Sequence, residues 1–297
     1  MIIFVSGFNR SGTTVLLEAV AAASGGTPFT VGDLIRHGSP GLSSRLTALV
    51  EAPEPVDRGV DARPVTGATP EEYGWLLVDQ KVSSRLTSRF HPRGAGLLRR
   101  IAAEIEERAG VAVLKNPSDT GREALLLESF PDAKIILSRR PLSGIYGSAD
   151  RALARGARST AYGMALTDRS LFVRLAIRAQ LTRPGAAFLS FLGRWNLRLR
   201  VFGMLRATAR LPLDRVAFLD YEELVHDPET AAVWAAHVLD PDRLAKEFSR
   251  SHSFPGNPRP PSSRLDRYLD ARWHRLWTAS RTRQLSEGIL PIPAHHS

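Results

Sequence analysis

The sequence predicts an α/β fold, a single domain with a central parallel sheet flanked by helices. Three observations carry this. Short apolar runs alternate with helix-periodic stretches along the chain. The first run passes directly into a glycine loop that opens a helix. The chain has 297 residues, 43% of them hydrophobic, enough to bury a full core without disulfides or metals.

The elements follow in order. Ile2 to Val5 reads as a strand, and Thr14 to Ala23 as a helix, with Val15, Leu16, Ala19, Val20 and Ala23 at helical spacing. Val111–Leu114, Lys134–Leu137 and Val216–Leu219 are further apolar runs of four residues bounded by polar or turn residues, as buried parallel strands are. Residues 38–74 are rich in Gly, Pro, Ser and Thr and read as an irregular excursion, either a lid or substrate loop or a disordered surface loop, with a short helix near Leu42–Val50. Residues 155–210 read as a helical substrate region. Within it, 168–210 carry arginines among apolar residues, broken at Pro184-Gly185. Such a basic amphipathic stretch suits a helix pair with a solvated face, or peripheral contact with an anionic membrane.

Composition narrows the function. The formal net charge is +10, which favours anionic partners. The arginines are dispersed, and no zinc-finger, RNP or basic-zipper pattern occurs, so nucleic acid is not expected as a partner. The absence of cysteine excludes thiolate catalysis and cysteine-ligated zinc. No window approaches the ~18 apolar residues of a spanning helix, and the N-terminus lacks the pattern of a signal peptide. A soluble cytoplasmic protein is expected.

Gly7-Phe8-Asn9-Arg10-Ser11-Gly12-Thr13-Thr14 carries the chemistry. Glycines turn backbone N–H groups toward one point, and the following helix adds its N-terminal donors and positive dipole end. The result is an anion cradle. Its spacing is nearly that of the P-loop, G-x-x-x-x-G-K-[ST], but Thr13 stands where the lysine belongs and a cation, Arg10, lies inside the loop. A threonine cannot neutralise a triphosphate, so the loop fits a smaller anion, a 5′-phosphate with one further group.

Arg10-Ser11-Gly12-Thr13-Thr14 after an N-terminal strand resembles the 5′-phosphosulfate loop of sulfotransferases that use 3′-phosphoadenosine 5′-phosphosulfate (PAPS). Further segments share the resemblance. Phe130-Pro131-Asp132-Ala133-Lys134 to Pro141 is similar to the segment that binds the 3′-phosphate, with an arginine fork and a serine hydroxyl as donors. Counting back from Pro141 gives Arg139 and places the serine position on Gly147; the usual eight-residue separation gives Arg140 and Ser148. The assignment adopted is Arg139 with Ser148, with Arg140 as the alternate. Lys115-Asn116-Pro117 resembles the family's K-x-P strand end, with Asp119 where histidine often stands. Tyr221 to Pro228 resembles its Y-E-[DE]-L-x-x-D-P stretch, and His252 to Pro258, with Gly256 and Asn257, a loop closing over the nucleotide.

The resemblance implies transfer of a sulfuryl group from PAPS to a hydroxyl, or less readily an amine, of a small-molecule, glycan or lipid-linked acceptor. Adenosine 3′,5′-bisphosphate would leave, and no metal would be required. It implies Arg10 and Lys115 as electrostatic catalysts and Gly7, Asn9, Ser11, Gly12, Thr13 and Thr14 as loop contacts. Asp33, then Asp119, then His37 are candidate bases. The rival reading is a P-loop kinase using ATP and Mg²⁺, with Leu76-Leu77-Val78-Asp79 as its Walker-B strand.

Overall fold

The protein is described by a computed structural model that covers residues 1–8, 12–59, 63–84, 88–156, 160–167, 175, 178–179, 182–251 and 263–290. Strand β1 (Ile2–Ser6) runs into the glycine loop and then α1 (Thr13–Ser24). Next come β2 (Thr27–Pro28), α2 (Val31–His37), α3 (Pro40–Val50) and α4 (Gly74–Asp79), before α5 (Ala95–Ala109) leads to β3 (Ala112–Lys115). α6 (Glu123–Ser129) connects to β4 (Lys134–Arg139), and α7 (Leu142–Gly156), α8 (Ala161–Leu166) and α9 (Arg183–Thr208) precede β5 (Val216–Asp220). α10 (Tyr221–His226), α11 (Pro228–Ala232), α12 (Pro241–Ser251) and α13 (Arg264–Ser286) follow.

The sheet is parallel, in the order β2-β3-β1-β4-β5. β1 is central, and its register sets Val5 beside Lys115 on one side and Ile136 on the other. Side chains alternate between two cores, as the pleat requires. Phe4, Leu114, Ile135 and Phe218 face a core closed by α5 and α13, with Leu98, Ile101, Trp273 and Trp277. Ile3, Val5, Val113, Ile136 and Leu219 face a second core closed by α1 and α12, with Leu16, Val20, Leu244 and Phe248. Lys115 therefore follows Val113 onto the face that α1 covers.

All four expected strands form, and each runs one or two residues beyond its apolar stretch, to Ser6, Lys115, Arg139 and Asp220. β2 escaped the sequence reading because it has two residues, one of them a proline, and sits at the sheet edge where a missing donor is tolerated. Leu76–Asp79 is not a strand. It belongs to α4, and Asp79 accepts hydrogen bonds from the Ser39 N–H (2.6 Å) and hydroxyl (2.7 Å) at the start of α3. The Walker-B reading fails with it. Pro184 marks the start of a helix: it sits in the first turn of α9, where its missing N–H is harmless, and Thr182 caps that turn.

The excursion over 38–74 is tied down at its end. Asp119 accepts from the Tyr73 hydroxyl (2.6 Å), the Asn116 amide (2.8 Å) and the Phe90 N–H (2.5 Å). Asn116 also donates to the Ser88 carbonyl (2.7 Å), and the Tyr73 N–H to the Lys115 carbonyl (3.3 Å). This knot joins the excursion, the segment at 88–90 and the end of β3. Burial pushes the Asp119 carboxyl above its ordinary range, against the pull of its donors.

Asp119→Ala would leave three buried donors unpaired, at ~1 kcal/mol or more each. Urea unfolding should show a loss of about 3 kcal/mol. A loss below ~1 kcal/mol would mean that neighbours re-pair these groups and that the knot is dispensable.

Candidate active site

Four strand ends and the start of α1 meet at the carboxyl edge of the sheet, where open α/β sheets bind ligands. Gly12 begins α1 in the left-handed region, at φ 86°, with no capping side chain and no acidic residue in the first turn. Glycine is required there for a second reason. A Cβ would lie 1.9 Å from Cε2 of Tyr221, whose ring packs on the loop. Thr13 is buried, and Thr14 is half-buried. Gly7 and Phe8 lead from β1 into the loop. Asn9, Arg10 and Ser11, and Gly256 and Asn257 further on, lie outside the described residues.

Lys115 is 2% exposed. Its ammonium donates to the Thr14 hydroxyl at 2.9 Å, so the cation from β3 stands at the helix start that the loop creates. Glu72 Oε1 lies 3.8 Å from that ammonium. Glu72 precedes Tyr73 at the end of the excursion. Burial raises its pKa, Lys115 opposes that shift, and the adjacent Glu71 adds to it. The sequence reading missed Glu72. A glutamate pair after a turn-rich stretch carries no spacing signal. Contacts of its neighbours hold it at the strand end: Tyr73 with Asp119 and the Lys115 carbonyl, and the Glu71 N–H with the Phe29 carbonyl.

The strand-end arginines divide. Arg139, 7% exposed, forms an ion pair with Asp220 of β5 and lies 5.7 Å from the Trp273 ring centre. Arg140 lies outside the strand. Its guanidinium stands 4.9 Å from the ring centre of Tyr221, the ring that packs on Gly12. Gly147 and Ser148 are half-buried on α7.

The three expected bases are occupied elsewhere. Asp33 is the N3 residue of a capping box at α2: Thr30 donates its N–H (2.9 Å) and hydroxyl (3.0 Å) to one oxygen, and Arg108 donates to the other (2.9 Å). Asp119 is held in the knot. His37 stands 3.2 Å from Glu104, and burial lowers its pKa.

Arg200 of α9 is a further cation that the sequence reading counted only as part of a basic helix. It donates to the Pro117 carbonyl (2.6 Å), two residues beyond Lys115, and its guanidinium lies 5.2 Å from the Phe8 ring centre. Burial, with the charge of Arg89 nearby, pulls its pKa down to about 10.

The chain is similar to known proteins. The model of the Sulfotransferase family matches residues 3–233. No curated protein matches the chain. Among solved structures, the chain is similar to the sulfotransferase STF1 of Mycobacterium tuberculosis H37Rv, at 20% identity and a TM-score of 0.53, over 91% of this chain and 75% of that one. It is also similar to the sulfotransferase STF9 of Mycobacterium avium, at 18% identity and a TM-score of 0.48, over 93% and 76%. The first likeness establishes a shared fold, and the family match covers the glycine loop, Lys115 and both strand-end arginines. The chain is thereby a member of the sulfotransferase family, and its chemistry is sulfuryl transfer.

Proposed function

We propose that the chain transfers the sulfuryl group of PAPS to a hydroxyl of a small-molecule, glycan or lipid-linked acceptor. The family generally uses PAPS as sulfate donor. The observation that carries the reading is the Lys115 ammonium on the Thr14 hydroxyl, a buried cation held at the anion-binding start of α1. The residues fit such a donor. Gly7, Gly12, Thr13 and Thr14 would hold its 5′ end, with Asn9, Arg10 and Ser11 assigned there by the sequence. Gly256 and Asn257 keep their sequence-based assignment over the nucleotide. When bound, PAPS supplies a sulfuryl group activated by its phosphate leaving group.

The roles then fall to named side chains. Lys115, with Arg10, stabilises the negative charge that develops as the sulfur–oxygen bond breaks, in a site where little water competes. Glu72 takes the proton of the acceptor hydroxyl. Its raised pKa suits a base better than an exposed glutamate would, and it stands beside the ammonium that faces the transferring group. This role replaces the assignment to Asp33 and Asp119, whose oxygens are engaged in capping and in the knot, and to His37, which stands beside Glu104.

The 3′-phosphate goes to Arg140 with Ser148, the eight-residue register, rather than to Arg139. Arg139 already neutralises a buried Asp220, and turning to a ligand would strand that carboxylate. Arg140 stands on Tyr221, beside the loop.

Arg140→Ala should weaken adenosine 3′,5′-bisphosphate by about 2 kcal/mol while leaving adenosine 5′-phosphate nearly unchanged in titration calorimetry. Arg139→Ala should instead lower the unfolding free energy by about 3 kcal/mol, because it leaves Asp220 uncompensated. Phosphate selectivity lost in Arg139→Ala, with stability intact, would return the role to Arg139.

Glu72→Gln should lower the transfer rate by about 10²-fold or more at neutral pH. A base acts only when deprotonated, so the wild-type rate should fall as pH drops through the Glu72 pKa. That acid limb should lie above the ordinary glutamate value and vanish in Glu72→Gln. An unchanged profile would remove Glu72 from the chemistry.

A further inference from the structure

Helix α9 has two unlike faces. One is buried: Val201, Met204, Leu205 and Thr208 pack inside, and Arg200 reaches Phe8 and Pro117. The other carries Phe188 (60% exposed), Phe191 (60%), Leu192 (43%), Trp195 (49%), Leu199 (55%) and Phe202 (39%). At 3.6 residues per turn, these six fall within an arc of about 100°. Soluble monomers rarely leave a contiguous aromatic stripe in water, and such a stripe marks a docking surface.

The charge around it identifies the partner. Residues 169–210 contain nine arginines and no lysine, aspartate or glutamate. Arg194 and Arg198 are paired with Asp150 and Asp266 on neighbouring elements. Arg183 at the start of the stripe, and Arg206 and Arg210 beyond its end, are exposed, and no ion pair is recorded for them among the described residues. An apolar band with cations at both ends and no anion within it complements an anionic bilayer. Aromatic side chains enter the acyl boundary while guanidiniums meet headgroup phosphates. A second copy of the chain fits poorly. Two-fold antiparallel pairing of the stripes would set Arg183 against Arg206, with no acid on either helix to answer them. Among the described residues, no helix is long and apolar enough to cross a membrane, so α9 would lie along the surface.

We infer that α9 docks flat on an anionic lipid bilayer through the Phe188–Phe202 face. The test is flotation with vesicles of phosphatidylcholine and phosphatidylglycerol in equal parts, against phosphatidylcholine alone. It needs no sulfuryl transfer, so its outcome is independent of the catalytic reading. The wild type should float with the anionic vesicles and not with the neutral ones. The triple variant Phe191→Ser/Trp195→Ser/Leu199→Ser should partition at least about tenfold more weakly. Arg183→Gln/Arg206→Gln/Arg210→Gln should weaken partitioning and flatten its salt dependence. A blue shift of tryptophan emission on adding anionic vesicles, absent from Trp195→Phe, should report insertion without depending on the folding of the triple variant. No flotation, equal flotation with neutral vesicles, or flotation and blue shift indifferent to these substitutions would overturn the inference. So would a lipid-free dimer that the stripe substitutions dissolve.

Discussion

A buried ammonium must be met by oxygen, and Lys115 is the charge around which the carboxyl edge of this sheet is arranged. Taking an unpaired ammonium out of water costs several kcal/mol. The Thr14 hydroxyl and the Glu72 carboxylate stand near it, and each comes from a different part of the chain. Thr14 is there because Gly12 starts α1 in a conformation that side chains resist and that Tyr221 leaves no room to alter. Glu72 is held there through its neighbours, Tyr73 bound to Asp119 and to the Lys115 carbonyl and Glu71 bound to the Phe29 carbonyl. The β1–β3 register supplies Lys115 itself. The three come from distant parts of the chain and meet at the carboxyl edge of the sheet.

The same edge separates cations that hold the fold together from cations near the site. Arg139 spends its charge on Asp220, and Arg281 on Glu223 while it donates to the Phe218 carbonyl (2.9 Å). Arg140 stands by Tyr221 and the loop, and Arg200 by Phe8. A net charge of +10 is therefore no single basic surface. Part of it is sunk in structural ion pairs, part converges on the strand ends, and part flanks the apolar stripe of α9. This dispersion fits sulfuryl transfer, where charge on a small group must be met from several directions.

Much of this was legible in the sequence. Four apolar runs gave four strands, and the glycine run after Val5 gave the helix that starts at the carboxyl edge, because hydropathy and glycine placement report local conformation directly. What was not legible depended on partners. Hydropathy stops at Leu114 and Leu137, but the strands go on to Lys115 and Arg139, whose side chains are satisfied by distant elements. Nothing in the sequence shows that Arg139 pairs with Asp220, 81 residues further on. Asp33 and Asp119 stand as candidate bases in the sequence, and in the structure a capping box and a three-donor knot hold them. Glu72 carried no signal, since its position depends on a hydrogen bond between Tyr73 and Asp119 across 46 residues of chain.

In the proposed function, the start of α1 with Lys115 behind it holds a phosphosulfate and not a triphosphate. Titration calorimetry in EDTA tests this most directly, with adenosine 3′,5′-bisphosphate and ATP as alternative ligands. Thr13 in place of a P-loop lysine predicts that the bisphosphate binds without metal, and at least about tenfold more tightly than ATP. Binding of ATP that depends on Mg²⁺, together with no detectable binding of the bisphosphate, would contradict the account.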